Sequence, residues 1–118
     1  MPTDWSDTIL ISELQDEPQL SQELSAVFER LRANNKPAKN VVLNFASVNY
    51  ISSSHLSQML RIRKRIADSG RQMVLCSMSD HCWSVLVMTG LDRIFRCAPD
   101  PMTALATLQV EGGTGMDG

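Results

Sequence analysis

Short apolar runs take turns with amphipathic helical patterns along this chain, and that alternation restricts its fold more than any other feature. Val41–Phe45 and Gln72–Cys76 are mostly apolar and too short for helices, as expected of strands buried on both faces. Thr8–Leu14, TILISEL, alternates loosely and reads as a strand with one wet face. It is short and near a terminus, so it is expected at a sheet edge, where it is free to run antiparallel. Ile94–Cys97 reads as a further strand.

The helical patterns fall between these runs. After Pro18, Leu20, Leu24, Val27, Phe28 and Leu31 recur at helical spacing, and the ANNKPAK segment then supplies helix-ending residues. From Ser53, the residues Leu56, Met59, Leu60, Ile66 and Ala67 mark one apolar face, with Gly70 placed to stop the helix. Ser79-Asp80 opens a third helix through Trp83, Leu86, Val87 and Met88 to Gly90, and Asp100-Pro101 opens a fourth with Met102, Leu105 and Leu108. The resulting order predicts an α/β domain, with a small mixed, mostly parallel four-stranded sheet and about four helices. Leu91, just past Gly90, is expected to be buried at the helix-to-strand corner.

A chain of 118 residues suits one domain, here 1–110, followed by a flexible tail over 111–118 that has no core-forming residues. Its Gly112-Gly113-Thr114-Gly115 run lacks the ending of a phosphate loop. A net charge of −2 with 20% charged residues gives no sign of nucleic-acid binding. The N-terminus carries no export signal and no segment reaches the length of a membrane span, so a cytoplasmic protein is expected. Cys76, Cys82 and Cys97 then read as free thiols, and the seven methionines as core filler.

Chemistry, if any, is expected at Asn40–Leu56, NVVLNFASVNYISSSHL, where a strand gives way to a serine triplet opening a helix. Orphan N–H groups and the positive dipole end suit an acceptor or a phosphate there, although one serine is needed simply as the N-cap. Ligands of parallel sheets also gather at the carboxyl ends of strands. Enzyme patterns are missing. The serines have no flanking glycines for a nucleophile elbow, and His55 directly follows Ser54, where helix neighbours do not face one another. Cys76, His81 and Cys82 match no metal-ligand spacing, and no cofactor is implied. Arg61-Ile62-Arg63-Lys64-Arg65 reads as a solvated basic face near the negative end of its helix, or else as a patch for nucleic acid or an acidic partner, the former disfavoured by the overall charge.

VVLNFASVNYISSSHL, the basic helix after it, and SGRQMVLCSMSDHCWSVLVMTGLDRIFR together resemble the STAS domain of bacterial anti-sigma factor antagonists. The most specific element is Thr89-Gly90-Leu91-Asp92-Arg93-Ile94-Phe95, which fits T-G-L-x-x-[IL]-[FI]. The resemblance implies a non-catalytic interaction module that captures an anti-sigma factor with serine kinase activity and is switched off when that kinase phosphorylates one serine. In the family that serine lies in D-S-[ST]-G. Here Ser52 stands at the aspartate, Ser53 at the switch serine, Ser54 at the second hydroxyl and His55 at the glycine. The expected partner surface is Ser52, Ser53, Ser54 and His55 with Arg61 and Lys64. The loss of Asp removes a carboxylate beside the acceptor, and His in place of Gly is expected to add bulk where the partner approaches. Two alternatives stay open: a STAS scaffold in a signalling assembly that is not phosphorylated, and a sensor binding a nucleotide or anion at the Ser52–His55 helix end.

Overall fold

The computed structural model describes residues 2–4, 9–32 and 40–109. Its strands are β1 (Pro2–Asp4), β2 (Ile9–Gln15), β3 (Asn40–Ser47), β4 (Met73–Cys76) and β5 (Arg96–Ala98). Its helices are α1 (Gln19–Arg32), α2 (Ser53–Asp68), α3 (Asp80–Thr89) and α4 (Pro101–Leu108), with a 3₁₀ turn at Leu91–Arg93. The strands form one sheet in the order β1-β2-β3-β4-β5. The four parallel strands and four helices are those expected from the sequence pattern. The ANNKPAK segment and the tail 111–118 lie outside the described residues.

The expected edge strand is not at the edge. A fifth strand, β1, pairs antiparallel outside β2, while β2 runs parallel to β3 from Ile9↔Asn40 to Glu13↔Asn44. Nor does β2 have one wet face, because Ile9 to Ser12 are all buried. Its alternate side chains serve two cores: Leu10 and Leu14 join Val41, Leu43, Phe45 and Leu75 beneath α1, α2 and α3. Ile9 and Ile11 join Val42, Val74 and Cys76 on the opposite face, covered by Ala104, Leu105 and Leu108 of α4. A strand between two helix layers has no solvent side, which is why its alternation is blurred.

Helix α1 contributes Leu20, Leu24 and Val27, all fully buried, and Gln58 of α2 ties the two helices by donating to the Ser21 carbonyl at 3.1 Å and Ser25 Oγ at 3.2 Å. On α2 the buried face is His55, Leu56, Met59, Ile62 and Ile66. Leu60 and Ala67, expected on that face, are exposed; Ile62 takes their place because it falls one turn from Met59 and Ile66. Gly90, at φ 77°, ends α3 in the left-handed conformation with its N–H donating to the Leu86 and Val87 carbonyls.

The 3₁₀ turn then corrects the expectation for Leu91. That side chain is only half-buried against the core, whereas Phe95, at 4% exposure, fills the corner. Leu91 opens the turn and its carbonyl accepts from the Phe95 N–H at 2.9 Å, so the backbone holds Leu91 at the rim and turns Phe95 inward. Phe95→Ala is therefore expected to cost about 3–5 kcal/mol and Leu91→Ala clearly less. Urea denaturation of both variants checks this; equal losses would contradict the placement.

Candidate functional site

The site grows from the end of β3. Buried Asn44, near the end of β3, donates to Glu13 Oε1 at 3.0 Å and accepts the Ala46 N–H at 3.0 Å. Val48 and Ile51 are buried, so the intervening Asn49 and Tyr50 are turned outward. Asp16, at the end of the β2 strand, holds this corner. Its carboxylate accepts the Asn49 N–H at 2.8 Å, Asn49 Nδ2 at 2.9 Å and the Tyr50 N–H at 3.3 Å. These bonds, led by that of the Asn49 backbone, lower the Asp16 carboxyl below its usual range.

Ser52 is the N-cap of α2. Its Oγ accepts the His55 N–H at 3.4 Å, and His55 Nδ1 in turn accepts the Ser52 N–H at 3.0 Å. This is a capping box with histidine in the place usually taken by Glu or Gln. Since Nδ1 accepts, the ring proton is assigned to Nε2, which meets Glu17 Oε2. Glu17 also accepts from the Ser21 N–H at 3.1 Å and Oγ at 2.9 Å, and its carboxyl is lowered chiefly by the His55 bond.

His55 consequently departs from expectation. Its side chain is buried, at 4% exposure, and does not add bulk to the outer surface. It also faces a serine after all, at i, i+3 across the cap, because Ser52 lies before the helix rather than within it. The resulting Ser52–His55–Glu17 chain builds the cap: Nδ1 accepts the Ser52 N–H and also lies 3.2 Å from Ser52 Oγ. The same cap occupies the N–H of His55 that an anion at the helix end would seek.

Ser53 and Ser54, the first two residues of α2, are exposed. Ser53, Ser57, Leu60, Arg61 and Lys64 fall at i, i+4, i+7, i+8 and i+11, and all are exposed, so one solvent-facing stripe joins the serine to the two expected basic residues. Ser52 is half-buried and His55 lies behind the stripe. Lys64 also pairs with Asp68 at 3.3 Å. The rest of the basic run is divided among other tasks: Arg63 Nε donates to the Ile94 carbonyl at 3.2 Å, and Arg65 Nε to the Leu31 carbonyl near the end of α1 at 3.5 Å.

Asp16, Glu17 and an apolar flank were not anticipated. Tyr50, 60% exposed, stacks on His81 of α3 with centroids 5.3 Å apart. Met88 of α3 and Met102 of α4, read from the sequence as core filler, are 84% and 77% exposed, and Trp83 and Val87 of α3 are 42% and 48% exposed. Only Cys82 and Leu86 of α3 are buried. The three cysteines are free thiols; burial raises all three, Cys97 to about 11, which keeps them protonated at neutral pH. Among the described residues no His, Cys, Asp and Glu cluster to hold a metal, and no helix is long and apolar enough to cross a membrane.

The model of the STAS domain family matches residues 9–104. The chain belongs to the STAS domain family. It is 30% identical over 91 residues to BtrV of Bordetella bronchiseptica, a protein bearing the name anti-sigma factor antagonist, covering 77% of this chain and 73% of that one. A STAS domain protein from Planctomyces limnophilus shares the fold at TM-score 0.77 and 20% identity, covering 92% of this chain and 96% of the other. The phosphorylated form of the Bacillus cell fate determinant SpoIIAA does so at TM-score 0.69 and 14% identity, covering 92% and 97%. In this STAS domain the strand-to-helix turn is held by the Asp16 and Glu17 carboxylates.

Both carboxyls are lowered in the folded state, so the stability they contribute is present above their unfolded values, near pH 4, and is lost as pH falls through the folded ones. Wild type should lose more stability than Asp16→Asn between about pH 6 and pH 3, because only wild type can protonate that carboxylate. Urea midpoints across that range check this, and parallel losses would contradict the role given to Asp16.

Proposed function

We propose that this STAS domain is an anti-sigma factor antagonist that works by partner switching, binding an anti-sigma factor with serine kinase activity and releasing it when Ser53 is phosphorylated. The observation that carries this reading is the exposed Ser53 hydroxyl at the first residue of α2, heading a solvent-facing stripe that ends in Arg61 and Lys64. Tyr50, Trp83 and Val87 supply exposed aromatic and apolar area on neighbouring elements, of the kind that anchors protein interfaces. No catalysis is assigned to the domain, which is taken to act in the bacterial cytoplasm on transcription through its partner.

The physics of the switch is local. A phosphate adds about −1.5 to −2 charge, which a helix N-terminus tolerates, so the free domain has no need to change shape. A partner packed on the stripe would instead bury a solvated dianion. The departures from D-S-[ST]-G leave this logic intact, because Ser52 and His55 are spent on the cap behind Ser53. They also support a second reading, a scaffold whose Ser53 is not a kinase substrate, since the carboxylate beside the acceptor is gone.

Ser53→Asp is expected to melt within a few degrees of wild type yet bind the partner at least about tenfold more weakly, which corresponds to about 1.4 kcal/mol. Ser53→Ala should bind normally and resist the kinase. Mass spectrometry after incubation with the cognate kinase and ATP decides between the readings: phosphate on Ser53 supports the switch, and an unmodified Ser53 and Ser54 support the scaffold. Arg61→Glu should slow association and alter its salt dependence while leaving stability nearly unchanged, as stopped-flow measurements would reveal.

A further inference from the structure

His55 is the one member of the α2 cap whose hydrogen-bonding role depends on a proton. In the neutral ring Nδ1 accepts the Ser52 N–H at 3.0 Å, while the Nε2–H meets Glu17 Oε2. We propose that His55 is a proton-sensitive positioning residue: neutral, it holds the first turn of α2 and the pose of Ser53; protonated, it opens the cap and weakens partner binding, a role that rests on Ser53 heading the partner surface.

Capping alone does not account for a histidine here. Glu or Gln, the usual residues at this place in a capping box, would accept the same N–H, and neither changes its charge near neutral pH. Histidine is the side chain that does. It also stands where the family's serine motif has glycine, which has no ring to titrate.

The two states of the ring are unequal in this geometry. An imidazolium donates from both nitrogens and accepts at neither. A proton taken from solvent onto Nδ1 therefore sets one donor against another, the Ser52 N–H. Turning the new N–H toward Ser52 Oγ, 3.2 Å away, leaves that backbone N–H still without an acceptor. On the other side of the ring Glu17 keeps its bond and gains a charge to pair with. Protonation thus moves the ring's best partner from the cap of α2 to the carboxylate before α1. The ring is buried, so it cannot swing into water without shifting the turn that carries it. Ser53 and Ser54 lie between the two cap residues, and whatever separates Ser52 from His55 displaces both hydroxyls.

The surroundings isolate this event. Asp16 and Glu17 face the ring from the corner after β2, and Ser21 of α1 donates to Glu17. Both carboxyls are held below their usual range, Glu17 chiefly by the His55 bond and Asp16 by the Asn49 backbone, so they stay ionised down to about pH 5.5. From α3 come the Cys82 thiol, which burial keeps protonated, and exposed His81, stacked on Tyr50. Arg61 and Lys64 of α2 lie on the outward stripe and keep their charge. The two imidazoles remain as the groups of this corner able to change charge between about pH 8 and pH 5.5.

The experiment is an NMR titration of the full chain, labelled with ¹⁵N and ¹³C, from about pH 8 to pH 5.5, with affinity for the anti-sigma factor kinase measured over the same range. The Ser52 and Ser53 amide signals should follow the His55 ring with one shared midpoint, and wild-type affinity should fall at least about fivefold on acidification. His55→Gln, which keeps a cap acceptor but no titrating ring, should flatten both profiles. Glu17→Gln, which removes the charge that pairs with the imidazolium, should move the shared midpoint to lower pH and serves as the second variant if His55→Gln folds poorly. His81→Gln should keep the amide response. The proposal is overturned if the Ser52 and Ser53 amides stay fixed over this range, if they follow His81 instead, if wild-type affinity is flat, or if affinity falls as steeply in His55→Gln. Should the kinase bind at no pH, the partner-switching reading fails, and the spectra of the free domain decide the role of His55 without it.

Discussion

Two adjacent carboxylates at the end of one strand hold the functional corner of the next. Asp16 accepts the backbone N–H groups of Asn49 and Tyr50, and Glu17 reaches the ring of His55. The contact is imposed by topology: β2 and β3 are parallel neighbours, so their carboxyl ends lie side by side and the loops leaving them must meet. Without that clamp, a loop of exposed polar residues would have little to fix the start of α2. With it, Tyr50 is turned to solvent, Ser52 is placed to cap, and Ser53 faces outward.

The clamp also makes chemical sense of the residues that depart from the family's serine motif. A glycine at position 55 would leave the helix start without a side-chain acceptor for the Ser52 N–H. Histidine supplies one and reaches on to Glu17, joining the starts of α1 and α2 through a single ring. Ser52 replaces a carboxylate with a hydroxyl that still caps. The two changes therefore belong together as one local solution, and neither intrudes on the exposed stripe.

Much of this fold was legible because its cores are built from strong local signals. Val41–Phe45 and Met73–Cys76 are continuous apolar runs, Ser79 and Asp100 are N-caps, and Gly90 adopts the positive φ its position suggested. Three things were not legible, each for a physical reason. Pro2–Asp4 has no apolar pattern because it owes its strand state to pairing with β2. Trp83, Val87 and Met88 are exposed although α3 is apolar on most sides, because a short helix at the periphery of a sheet can bury only one of its faces. The partnership of Asp16 and Glu17 with residues more than thirty positions away has no periodicity at all, since it is created by the sheet. The serine stripe was legible because it lies within a single helix.

The two sheet edges carry a consequence for how such a domain meets other proteins. One is β1 and the other β5, each of three residues. An edge that short exposes too few backbone donors and acceptors to template a further strand from another chain. Edges this short disfavour recognition by strand addition and the edge-to-edge stacking that leads to aggregation. What it can offer a partner is side chains displayed on helices and corners, where a change at one hydroxyl alters the surface without disturbing the sheet beneath.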